Sequence, residues 1–421
     1  RIDKFKEDKM GNRPLEGIRV VEMATFIAAP CTARFLADLG AEVIKVEPPM
    51  GDPLRYTAVN EGRPLDQKEN TSYDLENAGK TCISLNTKSE EGREALEKLL
   101  ATADVFICNW RQSPLKRAGL DWETLHEKYP KLVYGYVSGY GEKGPDRDLP
   151  GFDFTAFYAR GGILGPLRDK NSLPMLTVQG FGDHQVAMNL AAGVLAALFK
   201  AKMTGEGDHV VVSLFHSAIW DISLMLQASQ YGADSTQYPM ERWKLGNPLV
   251  LCYETADGQW LQIAMPQYDR HYPILMNAMG YPELADDARY YPQKNLIPNR
   301  EEFSAWITAE FKKKTCDEWC KLLDANDLPY AIAQEWDSLL EDKQAWASDC
   351  FYEMSYSNGN KRTLVRPPVL FDQMGLPPYE RGPYLGEQTK DILGELGYSG
   401  EAIEEMIKIG AAIDMDPALR D

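Results

Sequence analysis

Short apolar runs alternate with helical segments through the first half of the chain, and this alternation constrains the fold more than any other feature. Ile18 to Met23 has the length and composition of a buried strand, Cys31 to Leu39 has the pattern of a helix that ends at Gly40, and Glu42 to Val46 is the next strand. Thr87 to Glu90 forms a capping-box pattern that begins a further helix. Repeated strand and helix predict an α/β fold, a Rossmann-like large domain built on a mostly parallel sheet.

The pattern changes in the second half of the chain. Cys252 to Thr255 and Trp260 to Ala264 flank Asp257-Gly258, a hairpin signal that a purely parallel α/β unit lacks. We therefore predict that a smaller α+β domain begins in this region. A length of 421 residues also favours more than one domain.

The net charge restricts the ligands and partners of the chain. A formal charge of −18 at pH 7 gives no basic field for nucleic acid or an anionic membrane surface, so an anionic ligand needs a local basic pocket. We find no apolar run of about 20 residues, and the first ten residues are too charged for a signal peptide. The expected location is the cytoplasm. The seven cysteines and five histidines are dispersed, so we predict no metal site.

One acidic residue stands out as a candidate nucleophile. Asp183 lies between a glycine-rich turn, Gly180 to Gly182, and a long apolar helix from Val186 to Lys200. The positive end of that helix is expected to favour the ionised carboxylate, which can attack a thioester. Asp is also a preferred N-cap residue, so the spacing alone is compatible with a purely structural role.

The commonest nucleotide-binding motifs are absent. The turn after the first strand is Ala24 to Pro30, which lacks the glycines of the dinucleotide fingerprint. The P-loop lysine pattern is absent as well. These two observations disfavour nicotinamide and nucleoside triphosphate ligands.

Several motifs follow one another in a characteristic order, namely Ala37 to Glu47, Gly51-Asp52-Pro53, Asn77 to Lys80, Asn109-Trp110-Arg111, Pro150 to Asp153 and Gly182-Asp183. Through them nearly the whole chain resembles the class III coenzyme A transferase family. The resemblance implies that Asp183 attacks the donor acyl-CoA to give a mixed anhydride and then an aspartyl-CoA thioester. It also implies a supporting role for Asp153 near the active site. The positions that match the family's CoA site are Thr25, Ala28, Lys80, Asn109, Trp110, Arg111 and Arg117.

Two further positions bear on specificity. Ile27 stands where formyl-CoA transferase has Gln, which implies a more apolar acyl pocket. Phe152 stands where the racemases of the family have a proton-transferring His, which disfavours racemisation. His184 is as compatible with a structural role as with a catalytic one.

Within the family, Tyr73 to Asn77 and Gly151 to Phe157 resemble the group that acts on (R)-phenyllactate or (R)-2-hydroxyisocaproate in amino-acid fermentation. The resemblance implies transfer of CoA from an enoyl-CoA, such as cinnamoyl-CoA, to a (R)-2-hydroxy acid. The sequence is compatible with aryl and with branched aliphatic acids. The alternative functions are a CoA-ester racemase, a CoA ligase and a non-catalytic acyl-CoA-binding protein. Coenzyme A is then a substrate rather than a tightly bound cofactor, and a 2-hydroxyacyl-CoA dehydratase is the downstream partner.

The resemblance also implies an interlocked, ring-like homodimer. In that arrangement the large domain comprises residues 1–215 and 366–421, and the small domain residues 241–340. A linker helix at 216–240 and a linker at 341–365 connect them.

Overall fold

The computed structural model describes residues 13–232, 238–239, 241–376 and 381–420. These residues form two compact units. The first contains the described residues up to 163, residues 176–223 and those from 344 onwards. The second contains residues 164–175 and 224–343.

The described strands, in chain order, are β1 (Arg19–Met23), β2 (Glu42–Glu47), β3 (Thr81–Leu85), β4 (Val105–Cys108), β5 (Val133–Ser138), β6 (His209–Ser213), β7 (Cys252–Glu254), β8 (Trp260–Ile263), β9 (Tyr330–Ile332), β10 (Phe351–Ser355), β11 (Lys361–Val365) and β12 (Ala412–Ile413). Seven of them form one sheet in the order β12-β3-β2-β1-β4-β5-β6. Its strands pair in parallel except for β12, which is antiparallel to β3. The prediction of a mostly parallel α/β sheet is thus confirmed.

The described α-helices are α1 (Ala28–Asp38), α2 (Thr71–Asn77), α3 (Glu90–Leu100), α4 (Gln112–Ala118), α5 (Trp122–Lys128), α6 (Phe181–Thr204), α7 (Leu214–Asp221), α8 (Ser223–Ala228), α9 (Tyr268–Met279), α10 (Gln293–Leu296), α11 (Arg300–Phe311), α12 (Cys316–Ala325), α13 (Trp336–Leu340), α14 (Lys343–Ala347), α15 (Thr389–Glu395) and α16 (Gly400–Lys408). A short π-helix spans Asp153–Ala159. Shorter 3₁₀ segments connect several of these elements.

The strand order has a consequence for ligand binding. It contains the Rossmann sequence 3-2-1-4-5-6, in which the direction of winding changes between β1 and β4. Open parallel sheets bind ligands outside the carboxyl ends of their strands at such a switch point. A ligand site is therefore expected at the residues that follow β1 and β4.

Helix α6 differs from one sequence expectation. It is long and apolar enough to cross a membrane by length and composition, whereas the sequence analysis found no such run. In the structure apolar side chains of this helix pack on the sheet. Leu190 and Val194 lie against Gly135 on β5, where a larger residue would crowd them, and Gly193 lies against Val210 on β6. Burial in the first unit thus accounts for part of its apolar character, while Phe199 and Met203 near its carboxyl end are exposed.

The second unit has its own sheet and core. β7, β8 and β9 form an antiparallel sheet, and the β7–β8 pair is the hairpin predicted around Asp257-Gly258. Tyr253 of β7 stacks on Phe311 of α11 with ring centroids 4.6 Å apart. The aromatic core covers one face of this small sheet, as an α+β unit requires.

Residues 341–365, which the sequence analysis treats as a linker, contain a β-hairpin. β10 and β11 pair antiparallel, and Tyr356 between them donates a hydrogen bond of 2.6 Å from its hydroxyl to Asp74 on α2. Asn358-Gly359, a typical hairpin turn, lies between the two strands and was the available signal. The hairpin belongs to the first unit.

Candidate active site

A cavity of about 220 Å³ lies in the first unit at the carboxyl ends of β1, β4 and β5. It is lined by residues 25–28, 109, 111, 136–139, 147, 149–152, 183 and 214. The side chain of Asn109 joins two of these segments. It accepts a hydrogen bond from the backbone N–H of Thr25 at 3.1 Å and donates one to the Thr25 carbonyl at 2.8 Å. The cavity thus occupies the switch point that the strand order indicates.

Asp183 lies in the first turn of α6 and lines this cavity. The residue that caps the helix is Gly180, whose φ of 80° is the left-handed conformation that glycine adopts without strain. Asp183 itself is three residues further on. The alternative that Asp183 serves as the N-cap is therefore wrong.

Gly182 is required for packing. A Cβ at this position would lie 2.5 Å from Cγ of Phe157, on the π-helix, so only glycine fits between the two segments. Thr32 fixes α6 from another side, because its buried hydroxyl lies 3.2 Å from the Ala187 carbonyl. Together these contacts determine where the first turn of α6, and hence Asp183, is placed.

Asp153 holds the same turn. Its Oδ2 accepts a hydrogen bond of 2.8 Å from the backbone N–H of Gly180, and its Oδ1 accepts one of 2.7 Å from Phe154. The residue is buried, and burial raises its pKa while these two hydrogen bonds oppose the rise. Asp153 thus connects the π-helix to the cap of the helix that carries Asp183.

The environment of Asp183 differs from the sequence expectation of a readily ionised carboxylate. Burial, together with the negative charges of Asp153 and Glu76, raises its pKa to about 7, while His184 opposes the rise. Near neutral pH a substantial fraction of the carboxyl group is ionised, and a carboxylate that is poorly solvated is a stronger nucleophile.

His184 faces Glu76 on α2. The distance from its Nε2 to Oε1 of Glu76 is 2.9 Å, and although burial opposes the charged ring, this partner raises the pKa of His184. Cys31, Glu76 and His184 place ligand-type atoms within 4.8 Å of one another, a grouping that the dispersal of these residues in the sequence did not suggest. Since Glu76 already binds the ring and burial keeps the Cys31 thiol protonated by raising its pKa, the geometry is that of a hydrogen-bonded cluster.

The structure brings together four of the predicted CoA-binding residues, Thr25, Ala28, Asn109 and Arg111, at the wall of the cavity. Trp110 instead packs against the main core of the first unit. Arg117 lies on α4 with its guanidinium 2.6 Å from the Ser113 hydroxyl, outside the cavity lining.

The buried position of Lys80 contradicts its predicted role in binding CoA. Its ammonium group is fully buried and binds Glu22 at 2.6 Å, the Pro30 carbonyl at 2.8 Å and Asn77 at 2.9 Å. Burial lowers the pKa of Lys80 to about 8, against the attraction of Glu22. With its three donors used, Lys80 connects β1, α1 and β3 inside the fold and offers nothing to a CoA phosphate.

Arg147 and Phe26 are among the lining residues that the sequence patterns did not single out. Arg147 adds a second cation beside Arg111, and its position in the polar turn Gly141 to Pro150 was the available signal. Phe26 has a φ of 64°, a left-handed conformation that costs a bulky residue about 1 kcal/mol or more. A single sequence carries no signal for this conformation, because the backbone N–H of Phe26 is held by Asp52, a residue distant along the chain.

The comparison with protein families decides what kind of protein has this site. The signature of CoA-transferase family III matches residues 15–389. The chain belongs to CoA-transferase family III. Among curated members of the family, cinnamoyl-CoA:phenyllactate CoA-transferase of Clostridium sporogenes is 52% identical over 93% of this chain and 95% of its own length. The (R)-2-hydroxy-4-methylpentanoate CoA-transferase of Clostridioides difficile is 41% identical over 92% of this chain and 97% of its own length.

Solved structures agree with this assignment. A CaiB/BaiF family protein from Brucella suis has a TM-score of 0.77 to this family III chain at 28% identity, covering 91% of it and 100% of the solved chain. A protein of Mycobacterium tuberculosis has a TM-score of 0.78 at 26% identity, covering 90% and 98%. The chain is thus a transferase whose substrates are CoA thioesters, and coenzyme A is a substrate rather than a tightly bound cofactor.

Proposed function

We propose that this CoA-transferase moves CoA from an enoyl-CoA, such as cinnamoyl-CoA, to a (R)-2-hydroxy acid, such as (R)-phenyllactate, through covalent intermediates on Asp183. The observation that carries the proposal is the carboxyl group of Asp183 at a cavity that has aromatic walls and two arginines. The relative from Clostridium sporogenes, 52% identical, bears this activity in its name. The 41% identical relative also acts on a 2-hydroxy acid by its name.

The proposed chemistry is an exchange between carboxylates. The ionised oxygen of Asp183 attacks the donor thioester carbonyl, which gives a mixed anhydride and CoA thiolate. The thiolate attacks the aspartyl carbonyl, which releases the donor acid and leaves an aspartyl-CoA thioester. The acceptor carboxylate then attacks this thioester to give a second anhydride, and the thiolate finally takes the acceptor acyl group and frees Asp183.

Two helix ends support the charged intermediates. Ala28 opens α1 and Asp183 lies in the first turn of α6, and both residues line the cavity. The N-terminal ends of helices carry partial positive charge, which stabilises the oxyanion that forms at each attacked carbonyl. In this proposal Asp153 acts indirectly, by holding Gly180 and thus the first turn of α6.

The CoA moiety is proposed to bind at the loops that follow β1 and β4. Thr25, Ala28 and Asn109 would border the thioester end, and Arg111 and Arg147 would face phosphate groups. An acidic protein needs such a local group of cations, and these two are the ones that line the described cavity.

The wider setting follows from the same proposal. The product, a 2-hydroxyacyl-CoA, would pass to a 2-hydroxyacyl-CoA dehydratase in amino-acid fermentation, and the enzyme would act in the cytoplasm as an interlocked homodimer. Helix α8 supports an oligomer, because none of its residues is buried although Leu224, Met225 and Leu226 are apolar. Each chain of that homodimer would comprise a large domain of residues 1–215 and 366–421 and a small domain of residues 241–340, with linkers at 216–240 and 341–365.

Trapping the covalent intermediate tests the proposal. Wild-type protein incubated with cinnamoyl-CoA and hydroxylamine is expected to give a hydroxamate on Asp183, detected by peptide mass spectrometry, and to transfer CoA to (R)-phenyllactate without ATP. Asp183→Asn should give neither product. Asp391→Asn is the matched control, because Asp391 is also the third residue of a helix, α15, but is exposed away from the cavity. A hydroxamate that persists in Asp183→Asn would refute the assignment.

A further inference from the structure

The cavity beside Asp183 has an aromatic wall that includes a residue in a strained conformation. Phe26 follows β1, lines the cavity and has a left-handed φ of 64°. L-residues with bulky side chains rarely adopt this conformation, and glycine would occupy it without strain. A phenylalanine kept at a position suited to glycine indicates that its ring has a function.

A buried ion pair holds the backbone of Phe26. Oδ1 of Asp52 accepts a hydrogen bond of 3.0 Å from the backbone N–H of Phe26, and Oδ2 of Asp52 lies 3.0 Å from Nζ of Lys45. Both charged side chains are fully buried, and Lys45 also binds Glu22 at 2.7 Å. Asp52 is therefore fixed within the fold and holds the backbone of Phe26 in place.

The ring of Phe26 has one aromatic partner in the same cavity. Phe152 lies edge-on to it, with ring centroids 5.9 Å apart and an angle of 87° between the ring planes. Both residues line the cavity together with Asp183, and 53% of Phe152 is exposed. Two rings in this arrangement leave edges and faces for a third ring, which gains from aromatic pairing beyond the burial of its surface. A branched aliphatic group gains only from burial.

We propose that Phe26, positioned by Asp52, determines the acyl specificity of this enzyme and selects aryl over branched aliphatic 2-hydroxy acids. The inference rests on the proposed function, since it concerns the acyl group that becomes bonded to Asp183. Donor and acceptor are bonded in turn to one carboxylate and so occupy one pocket. A single aromatic wall then favours an aryl donor and an aryl acceptor alike.

The test is a specificity ratio, defined as kcat/KM for (R)-phenyllactate divided by kcat/KM for (R)-2-hydroxy-4-methylpentanoate. With cinnamoyl-CoA as donor, kcat/KM is measured for (R)-phenyllactate and for (R)-2-hydroxy-4-methylpentanoate as acceptors. In a ping-pong reaction this parameter reports the acceptor half-reaction alone. The wild-type ratio is expected to favour phenyllactate. Phe26→Leu, which keeps apolar bulk without a ring, and Phe26→Gly, which relieves the strain, are each expected to lower the ratio about five-fold or more.

Phe199→Leu on the outer face of α6 is the matched control, because Phe199 is exposed and outside the cavity lining, and its ratio should equal that of the wild type. A wild-type ratio that favours the aliphatic acid, or a ratio that stays within two-fold in both Phe26 variants, overturns the inference. If the wild type transfers CoA to neither acid and no adduct forms on Asp183, the proposed function fails and the inference fails with it. Transfer with an adduct but an unchanged ratio overturns the inference alone.

The role of Asp52 is tested through Phe26. Asp52→Ala is expected to lower the specificity ratio in the wild-type background and to leave it unchanged in Phe26→Gly, where the ring is already absent. A merely structural contribution of Asp52 would lower kcat/KM for both acids in equal proportion in both backgrounds. That second pattern would remove Asp52 from the inference.

Discussion

At the scale of single residues, the pKa of Asp183 is set by burial and by the charged groups around its carboxyl group. Burial and the carboxyl groups of Asp153 and Glu76 raise its pKa, and His184 lowers it. The site therefore contains a carboxylate whose ionisation costs more than it would in water. This cost is the physical source of its reactivity, because a carboxylate with few solvating partners gains most from forming a covalent bond.

The pKa of about 7 predicts a pH dependence with a definite sign. Only ionised Asp183 attacks the thioester, so kcat/KM should fall about ten-fold for each pH unit below 7 and level off above it. The measurement is a pH–rate profile between pH 5.5 and 8.5, recorded with an assay whose signal does not depend on the buffer.

Two variants should move the midpoint of this pH–rate profile in opposite directions. Asp153→Asn removes a negative neighbour and keeps an acceptor for Gly180, so the midpoint should shift to lower pH. His184→Gln removes a group that favours ionised Asp183, so the midpoint should shift to higher pH. A profile that is flat over this range in the wild type would contradict the role of Asp183 as the titrating nucleophile.

At the scale of elements, three segments place Asp183: α1 through Thr32, the π-helix through Phe157 and Asp153, and α6 itself. Gly182 lies where α6 meets the π-helix, and its missing side chain permits their close approach. The glycines of this turn therefore serve the geometry of the helix start. The close approach of substrate, which a glycine-rich turn also allows, is not needed to explain them.

Gly182→Ala is expected to destabilise the protein by about 1–3 kcal/mol, because the new Cβ would overlap the ring of Phe157. Activity should fall more than ten-fold as the adjacent Asp183 is displaced. Urea unfolding and kcat measure the two effects.

Gly394→Ala is the control for this substitution. Gly394 is in α15 with open space around it, so alanine should stabilise the protein by about 0.5–1 kcal/mol. If Gly182→Ala unfolds at the same urea concentration as the wild type, the contact with Phe157 does not fix the turn.

At the scale of the whole molecule, apolar surface remains exposed in both units. Leu224 on α8 is 80% exposed and Trp220 on α7 is 69% exposed. Contiguous exposed apolar residues are typical of surfaces that are covered in an oligomer.

A homodimer is therefore the expected state in solution, eluting at about twice the chain mass of 47.4 kDa in size exclusion with light scattering. Leu224→Lys should weaken the dimer, since it places a charge on the apolar face of α8. Ile409→Lys, at a single exposed residue after α16, should leave the mass unchanged. A wild-type monomer at micromolar concentration would contradict the homodimer.

Much of the fold follows from local sequence patterns. The strands predicted at Ile18 to Met23 and Glu42 to Val46, and the hairpin around Asp257-Gly258, are confirmed, because hydrophobic period and turn residues act over short distances. The order of the motifs was also sufficient to identify the family, which the signature over residues 15–389 confirms. The hairpin of β10 and β11 was missed although Asn358-Gly359 signalled it.

The sequence by itself determined the mostly parallel sheet, the hairpin around Asp257-Gly258 and the family to which the chain belongs. The tertiary structure decided that Lys80 is buried against Glu22 instead of binding a phosphate and that Gly180 and not Asp183 caps α6. It also decided that Phe26 has a left-handed φ and donates its backbone N–H to Asp52. It also decided the raised pKa of Asp183. The physical reason is the same in each case: burial and charge depend on partners that are far apart in the chain, and only folding brings them within contact.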